Sequence, residues 1–301
     1  MSGAREDQSP LFERTTPAVE GPLSHGVTHP LLAALYAGRV FQRAPSPATE
    51  RLVSMALAEL EAALGARPRE ALARMGEEAH FAAISRLRRV FYLEAPFHEA
   101  VLAILDELGL PRARVAFDPL RLRVIQHRGH ENEAARAVYY PHRDTWYGHP
   151  QGLVTGWVPL DDLDADETFV LHPDELATPV PNDSETFDYD SWVAQGWGLK
   201  IGWQSRRAGI EARYPGVTGP VAPRRTVGFA CRRAELLLFS GAHFHRTLPQ
   251  ARGRTRFSLD FRFVDLDDHA RGVGAPNVDN RSTGSALIDY VRGDAALPGA
   301  G

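Results

Sequence analysis

Residues 255–264, TRFSLDFRFV, most restrict what this chain can become. Side chains of a strand alternate between its two faces, so Phe257, Leu259, Phe261 and Phe263 share one side and Arg256, Ser258, Asp260 and Arg262 the other. An aromatic face requires a core. A charged face behind it fits the interior of a barrel that holds a polar ligand, or else the solvated side of an edge strand. Just upstream, residues 236–239 read as an apolar strand, Ser240 and Gly241 as a break, and residues 243–248 as a second strand. Pro249 and Gly253 mark the turn into the third.

A second motif lies far upstream, Tyr139-Tyr140-Pro141-His142-Arg143-Asp144-Thr145-Trp146. In an extended strand His142 and Asp144, two apart, point the same way and can hold one cation together. His245, from the distant strand, completes two imidazoles and one carboxylate on one face of a metal, the open arrangement of non-haem Fe(II) oxygenases. His243 shares strand parity with His245, and the spacing to Arg256 favours His245. A lone His-x-Asp says little in a chain with 12 histidines. Joined to a distant His, an Arg eleven residues beyond it and a Ser two further on, it is specific.

At these residues the chain resembles the Fe(II)/2-oxoglutarate-dependent oxygenases, and within them the phytanoyl-CoA dioxygenase-like group, over residues 120–265. The resemblance implies a mainly β protein with flanking α: a double-stranded β-helix core, jelly-roll or cupin-like, with N-terminal helices packed on one sheet. It also implies Fe(II) on His142, Asp144 and His245, 2-oxoglutarate with its distal carboxylate on Arg256 and Ser258, and dioxygen at the remaining metal position. Arginine suits that carboxylate because its planar fork of donors stays charged at any working pH. Arg252 and Arg254 share its face but not the strand interior. Residues 120–126 alternate Leu120, Leu122 and Ile125 with Arg121, Arg123 and Gln126. Gln126 is read there either as a contact to cosubstrate or substrate or as a wall residue. The implied reaction is oxidation, expected to be hydroxylation, of a small molecule in bacterial secondary metabolism. Where the group often has Pro-Gly-Ser-His, this chain has Leu171-His172-Pro173-Asp174.

Two competing readings use the same residues. A zinc hydrolase on a cupin-like barrel would need only the three ligands, and gives no reason for Arg256 and Ser258. A non-catalytic, metal-containing barrel that binds small molecules is the other. His142-Arg143-Asp144 also spells a protein-kinase triplet, but His149 stands where the kinase asparagine belongs, and no phosphate-binding glycine loop exists.

Composition narrows the rest. A length of 301 residues, 44% apolar and 24% charged, fits one domain. A net charge of −4 gives no footprint for nucleic acid, and no apolar run suits a membrane span. The single Cys231 excludes an internal disulfide, and the polar opening is not a signal peptide, so a cytoplasmic location is expected.

The expected layout is a loosely ordered arm (1–26), a helical buttress (27–112), a jelly-roll core (113–268) with a lid-like aromatic insert (173–225), and a tail (269–301). In the buttress, Ser46 starts a helix that ends at Gly65, Pro68 opens another running past Ile84, and a third spans 96–109. These helices carry no chemical signature. Arg86, Arg88 and Arg89 are expected to face outward, and His80 and His98 to be surface or structural. His127, His130 and His149 are expected to be exposed. Residues 152–160 and 168–172 read as further strands joined by an acidic, solvated turn, and Arg224, Arg225, Arg232 and Arg233 as a solvated face.

Overall fold

The computed structural model describes residues 12–14, 27, 29–132, 138–194 and 214–295. Strand β1 (Phe12–Glu13) pairs in parallel with β2 (Val40–Arg43), and helix α1 (Pro30–Tyr36) lies between them in sequence. Part of the expected arm is therefore tied to the sheet. Helix α2 (Pro47–Leu64) starts where Ser46 and Thr49 form a reciprocal capping box that satisfies otherwise orphaned N–H groups. It buries Leu52, Val53, Ala56, Leu60 and Leu64 on one face and stops at Gly65. The helix expected from Pro68 is broken into α3 (Ala71–Met75) and α4 (Glu77–Leu93). Gly76, at φ +78°, separates them, a conformation that residues with a Cβ rarely adopt. Helix α5 (Ala95–Glu107) follows, and His98 within it is structural, its Nε2 lying 2.8 Å from Tyr92 O.

The β region comprises β3 (Val115–Ile125), β4 (Val154–Pro159), β5 (Phe169–His172), β6 (Leu236–Ser240), β7 (Phe244–Thr247), β8 (Arg256–Asp265) and β9 (Val291–Arg292), with the short helix α6 (Tyr189–Ala194) between β5 and β6. Seven strands form one sheet in the order β1-β2-β6-β4-β8-β3-β9, antiparallel except at β1/β2. β5 and β7 pair antiparallel with each other as a second, two-stranded sheet. The fold is thus mixed α/β with a multi-stranded antiparallel sheet.

Strand β8 lies between β4 and β3 and is buried along its whole length, which removes the edge-strand alternative. Its Phe257, Leu259, Phe261 and Phe263 join one core cluster with residues of α1, α2, α4 and α5, so the helices cover the aromatic face. Gly156 of β4 sits opposite Phe261, and a Cβ there would lie 2.5 Å from the ring. A glycine is required for the aromatic to lie across the sheet. β3 carries a register shift between Asp118 and Arg121, at Pro119, a residue unable to donate to the ladder. The charged side of β8 faces the other way, toward a cavity. No helix among the described residues is long and apolar enough to cross a membrane.

A candidate metal centre and its cavity

His142 and Asp144 do not sit in a strand, contrary to expectation: a 3₁₀ turn begins at Asp144. The side-chain geometry survives because the residue between them, Arg143, is extended (φ −110°, ψ 140°). His142 is also fixed to the distant strand, since its N–H donates to His245 O at 2.9 Å and the His245 N–H donates back to His142 O at 3.0 Å. One backbone bridge therefore places both imidazoles side by side, their ring centroids 4.4 Å apart. One ligand atom each from His142, Asp144 and His245 falls within 4.8 Å of the others.

The donor set fits a divalent cation. His142 Nδ1 lies 2.8 Å from Tyr140 O and His245 Nδ1 lies 2.9 Å from His243 O. Each Nδ1–H thus donates to a carbonyl, which fixes the tautomer and turns the Nε2 lone pair to the site, the usual second partner of a metal-bound histidine. Burial lowers the pKa of His142, and burial followed by the neighbouring His142 pushes His245 down to about 3, so both rings are neutral at pH 7. Burial would raise the Asp144 pKa, but Arg262, His245 and His142 together hold it well below the usual carboxylate range. Thr155 Oγ1 donates to one Asp144 oxygen at 2.7 Å and Arg262 donates to the other at 3.1 Å.

His243, which shares parity with His245 on paper, lies just before β7 begins. Its ring is fully buried, Nδ1 3.1 Å from Ser240 O and Nε2 3.1 Å from Gly38 O. It is a structural bolt between two loops.

The triad opens onto a cavity of about 730 Å³. Its wall includes Arg256, Asp260 and Arg262 of β8, together with Arg121, Arg123 and Gln126 at and beyond β3. Arg256 is 2% exposed. It donates to Glu167 O and Thr168 O at 3.1 and 3.0 Å, while its Nε has no partner. Burial pushes its pKa down to about 10, which leaves it a cation at neutral pH. The competitors are occupied elsewhere: Arg252 pairs with Asp164 and Asp166 at 2.5 and 2.6 Å, and Arg254 with Glu167 at 3.2 Å. Ser258 is fully buried beside Arg256 on the same strand, and its Oγ accepts from Trp157 Nε1 at 3.0 Å.

Three expectations need correction, those for Arg88, His149 and His130, the last being half-buried with its Nδ1 shielded from solvent. Helix α4 lines the cavity with Glu77, His80, Phe81, Ile84 and Arg88, so Arg88 does not face outward, and of the two readings for His80, 1% exposed, the surface one is excluded. These five recur at spacings of one, three and four on one face of the helix. His149 is a cavity residue, its Nδ1 2.9 Å from Tyr290 Oη, and burial pushes its pKa down to about 3.

The tail, through residue 295, is folded onto the site. Asp279 accepts from Arg143 Nε at 3.0 Å and Trp146 Nε1 at 2.8 Å, and Ala286 N donates to Gly148 O at 2.8 Å. Arg143, between the two expected ligands, also donates to Ala242 O, Glu175 O and Thr178 O. Strands β7 and β8, adjacent in sequence, belong to different sheets.

Other readings hold. His127 is exposed, Arg224, Arg225, Arg232 and Arg233 are exposed, and the acidic turn carries ion pairs such as Arg232–Asp162 at 3.2 Å. From the insert, Phe187, Tyr189, Trp192 and Tyr214 reach the cavity. Its second half, including Trp197 to Lys200, lies outside the described residues.

No family model matches the sequence, and no curated protein matches it. Solved structures with which the chain shares some likeness include three described as non-heme enzymes. One is the alpha-ketoglutarate-dependent epimerase SnoN from nogalamycin biosynthesis, at 16% identity and TM-score 0.42, over 86% of this chain and 96% of that one. A second is the non-heme monooxygenase ThoJ in its apo form, at 14% and 0.42, over 79% and 85%. A third is the carbocyclase SnoK, also from nogalamycin biosynthesis, at 13% and 0.39, over 90% and 98%. Likeness at this level carries no argument about function, which rests on the geometry above.

Proposed function

We propose that the protein is an Fe(II)- and 2-oxoglutarate-dependent oxygenase on a double-stranded β-helix core, a single domain, hydroxylating a small molecule in secondary metabolism. The observation that carries this reading is the convergence of two neutral imidazoles and an ionised carboxylate on a cavity that also contains a buried, carboxylate-free arginine, Arg256. A zinc hydrolase accounts for the first half of that observation and not the second.

His142, Asp144 and His245 would hold the iron, and Arg262 and Thr155 keep Asp144 ionised and aimed, so the metal need not displace a proton. Arg256 would bind the distal carboxylate of 2-oxoglutarate, with Ser258 orienting it and Gln126 contacting cosubstrate or substrate. When bound, the iron supplies dioxygen activation, with overall conversion of 2-oxoglutarate, dioxygen and substrate C–H into succinate, carbon dioxide and C–OH. The aromatic wall, including Tyr147, Trp157 and Phe239, excludes water and positions the substrate.

The test is succinate formation from 2-oxoglutarate by the purified protein. It should require both Fe(II) and dioxygen and vanish in His245→Ala. Metal-dependent hydrolysis with zinc and no succinate under any condition would replace this reading with the hydrolase.

A further inference from the structure

Of the buried and half-buried charges lining the cavity, only Arg88 and Arg256 have no counter-ion among the described residues, while Glu77 and Glu78 are exposed. Arg121 forms a two-pronged pair with Asp118 at 2.9 and 3.0 Å, and Arg123 does the same with Asp260 at 2.7 and 2.8 Å. Arg262 pairs with Asp144, and Arg256 is the proposed seat of a cosubstrate carboxylate. Arg88, on α4, has no hydrogen bond or ion pair among the described residues, and its Nε is shielded from solvent without a partner. Two turns earlier on the same face, His80 is 1% exposed and its Nε2 is likewise unpartnered. Buried polar atoms without partners are uncommon in native proteins and call for a ligand or ion to complete them.

We infer that Arg88 of α4 binds a carboxylate of the substrate, so that this cavity takes an aromatic or otherwise apolar molecule bearing one negative charge. The inference rests on the oxygenase reading only in calling that molecule the substrate.

Three observations support it. Arg123 lies close enough to Arg88 for the two like charges, after burial, to push the Arg88 pKa down to about 10, and an anion between them relieves that repulsion. The competing carboxylates on the same helix, Glu77 and Glu78, are ten or eleven residues away, about 15 Å along the axis. The wall around Arg88 is apolar and aromatic, with Phe81, Ile84, Trp192 and Tyr214, which suits the body of such a ligand. One guanidinium without a counter-ion matches a monoanion, hence a carboxylate and not a phosphate dianion.

Calorimetric titration of the full chain, without oxygen, with naphthylacetate, naphthylacetamide and naphthyl phosphate tests this, with Fe(II) and excess 2-oxoglutarate present to fill the Arg256 site. The acid should bind about 10- to 100-fold more tightly than the amide, the range of one charge-assisted hydrogen bond, and more tightly than the phosphate. Arg88→Met should abolish the preference for the acid over the amide, and Arg88→Lys should keep part of it. Equal binding of acid and amide, no binding of either, a preference for the phosphate, or an acid preference unchanged in Arg88→Met would overturn the inference.

Running the titration with and without Fe(II) separates the two claims. Arg88-dependent selectivity in a protein that binds neither Fe(II) nor 2-oxoglutarate would remove the oxygenase and leave the anion site. Metal-dependent succinate formation without that selectivity would do the reverse.

Discussion

The candidate ligand triad and helix α4, both lining the cavity, differ in how their polar groups are satisfied. At the metal end both oxygens of Asp144 accept a hydrogen bond, and each candidate histidine has one ring nitrogen tied to a carbonyl. Along α4, His80 and Arg88 face the same space with nitrogen atoms that meet nothing. A site whose ligands are already held needs little rearrangement to take a cation, whereas a wall with open donors is finished by what enters it. On the proposed reading, the first region suits a fixed cofactor and the second an exchangeable molecule.

The comparison breaks most readily at the histidines. His245→Ala should lose stoichiometric Fe(II) binding, while His243→Ala, which removes a ring whose nitrogens face only loop carbonyls, should retain it. Equal loss in both, read by equilibrium dialysis, would mean that the ligand set is misassigned. Arg256→Ala comes next. Removing one partner of a buried charge pair costs roughly 3–5 kcal/mol, on the order of 100- to 1000-fold in affinity. Binding of 2-oxoglutarate should weaken by about that factor with iron retained, and a larger defect from Arg254→Ala would move the anchor.

A smaller effect concerns the clamp behind the metal end. Asp279 is the counter-ion of Arg143, which is 2% exposed. Asp279→Ala should destabilise the chain by roughly 3 kcal/mol in a denaturant melt, and it should weaken Fe(II) binding less than His245→Ala does. An unchanged melting profile would show that the C-terminal segment does not brace the site.

Another effect is one of pH. Burial pushes the His243 pKa down to about 4. Between the unfolded value, about 6.5, and that folded value the unfolded chain binds a proton that the folded chain does not, so stability falls with acidification by about 1.4 kcal/mol per pH unit. His243→Gln should flatten the slope of metal-free stability by about one proton over that window, and a parallel slope would argue against a neutral buried ring.

What was legible in the sequence follows from the range of the forces. β8 was readable because its alternation is local, and its charged face told of a polar interior before any partner strand was known. The spacing of His142 and Asp144 was readable for the same reason, even though the segment turns out to be an extended residue leading into a turn. Arg88 was not readable, because an arginine beside Arg86 and Arg89 on an amphipathic helix looks solvated until the facing β3 closes the cavity. Nor were Asp279 and Tyr290. They act through single contacts to Arg143, Trp146 and His149 across more than a hundred residues, and such contacts leave no periodicity to find.

The central claim is that one cavity holds a cation on His142, Asp144 and His245 and a dicarboxylate on Arg256 at the same time. Binding of 2-oxoglutarate measured without oxygen, in the presence and absence of Fe(II), tests it directly. Tight binding is expected only with Fe(II), and it should be lost in His245→Ala through the metal and in Arg256→Ala despite the metal. Binding that ignores Fe(II), or that survives both substitutions, would contradict it.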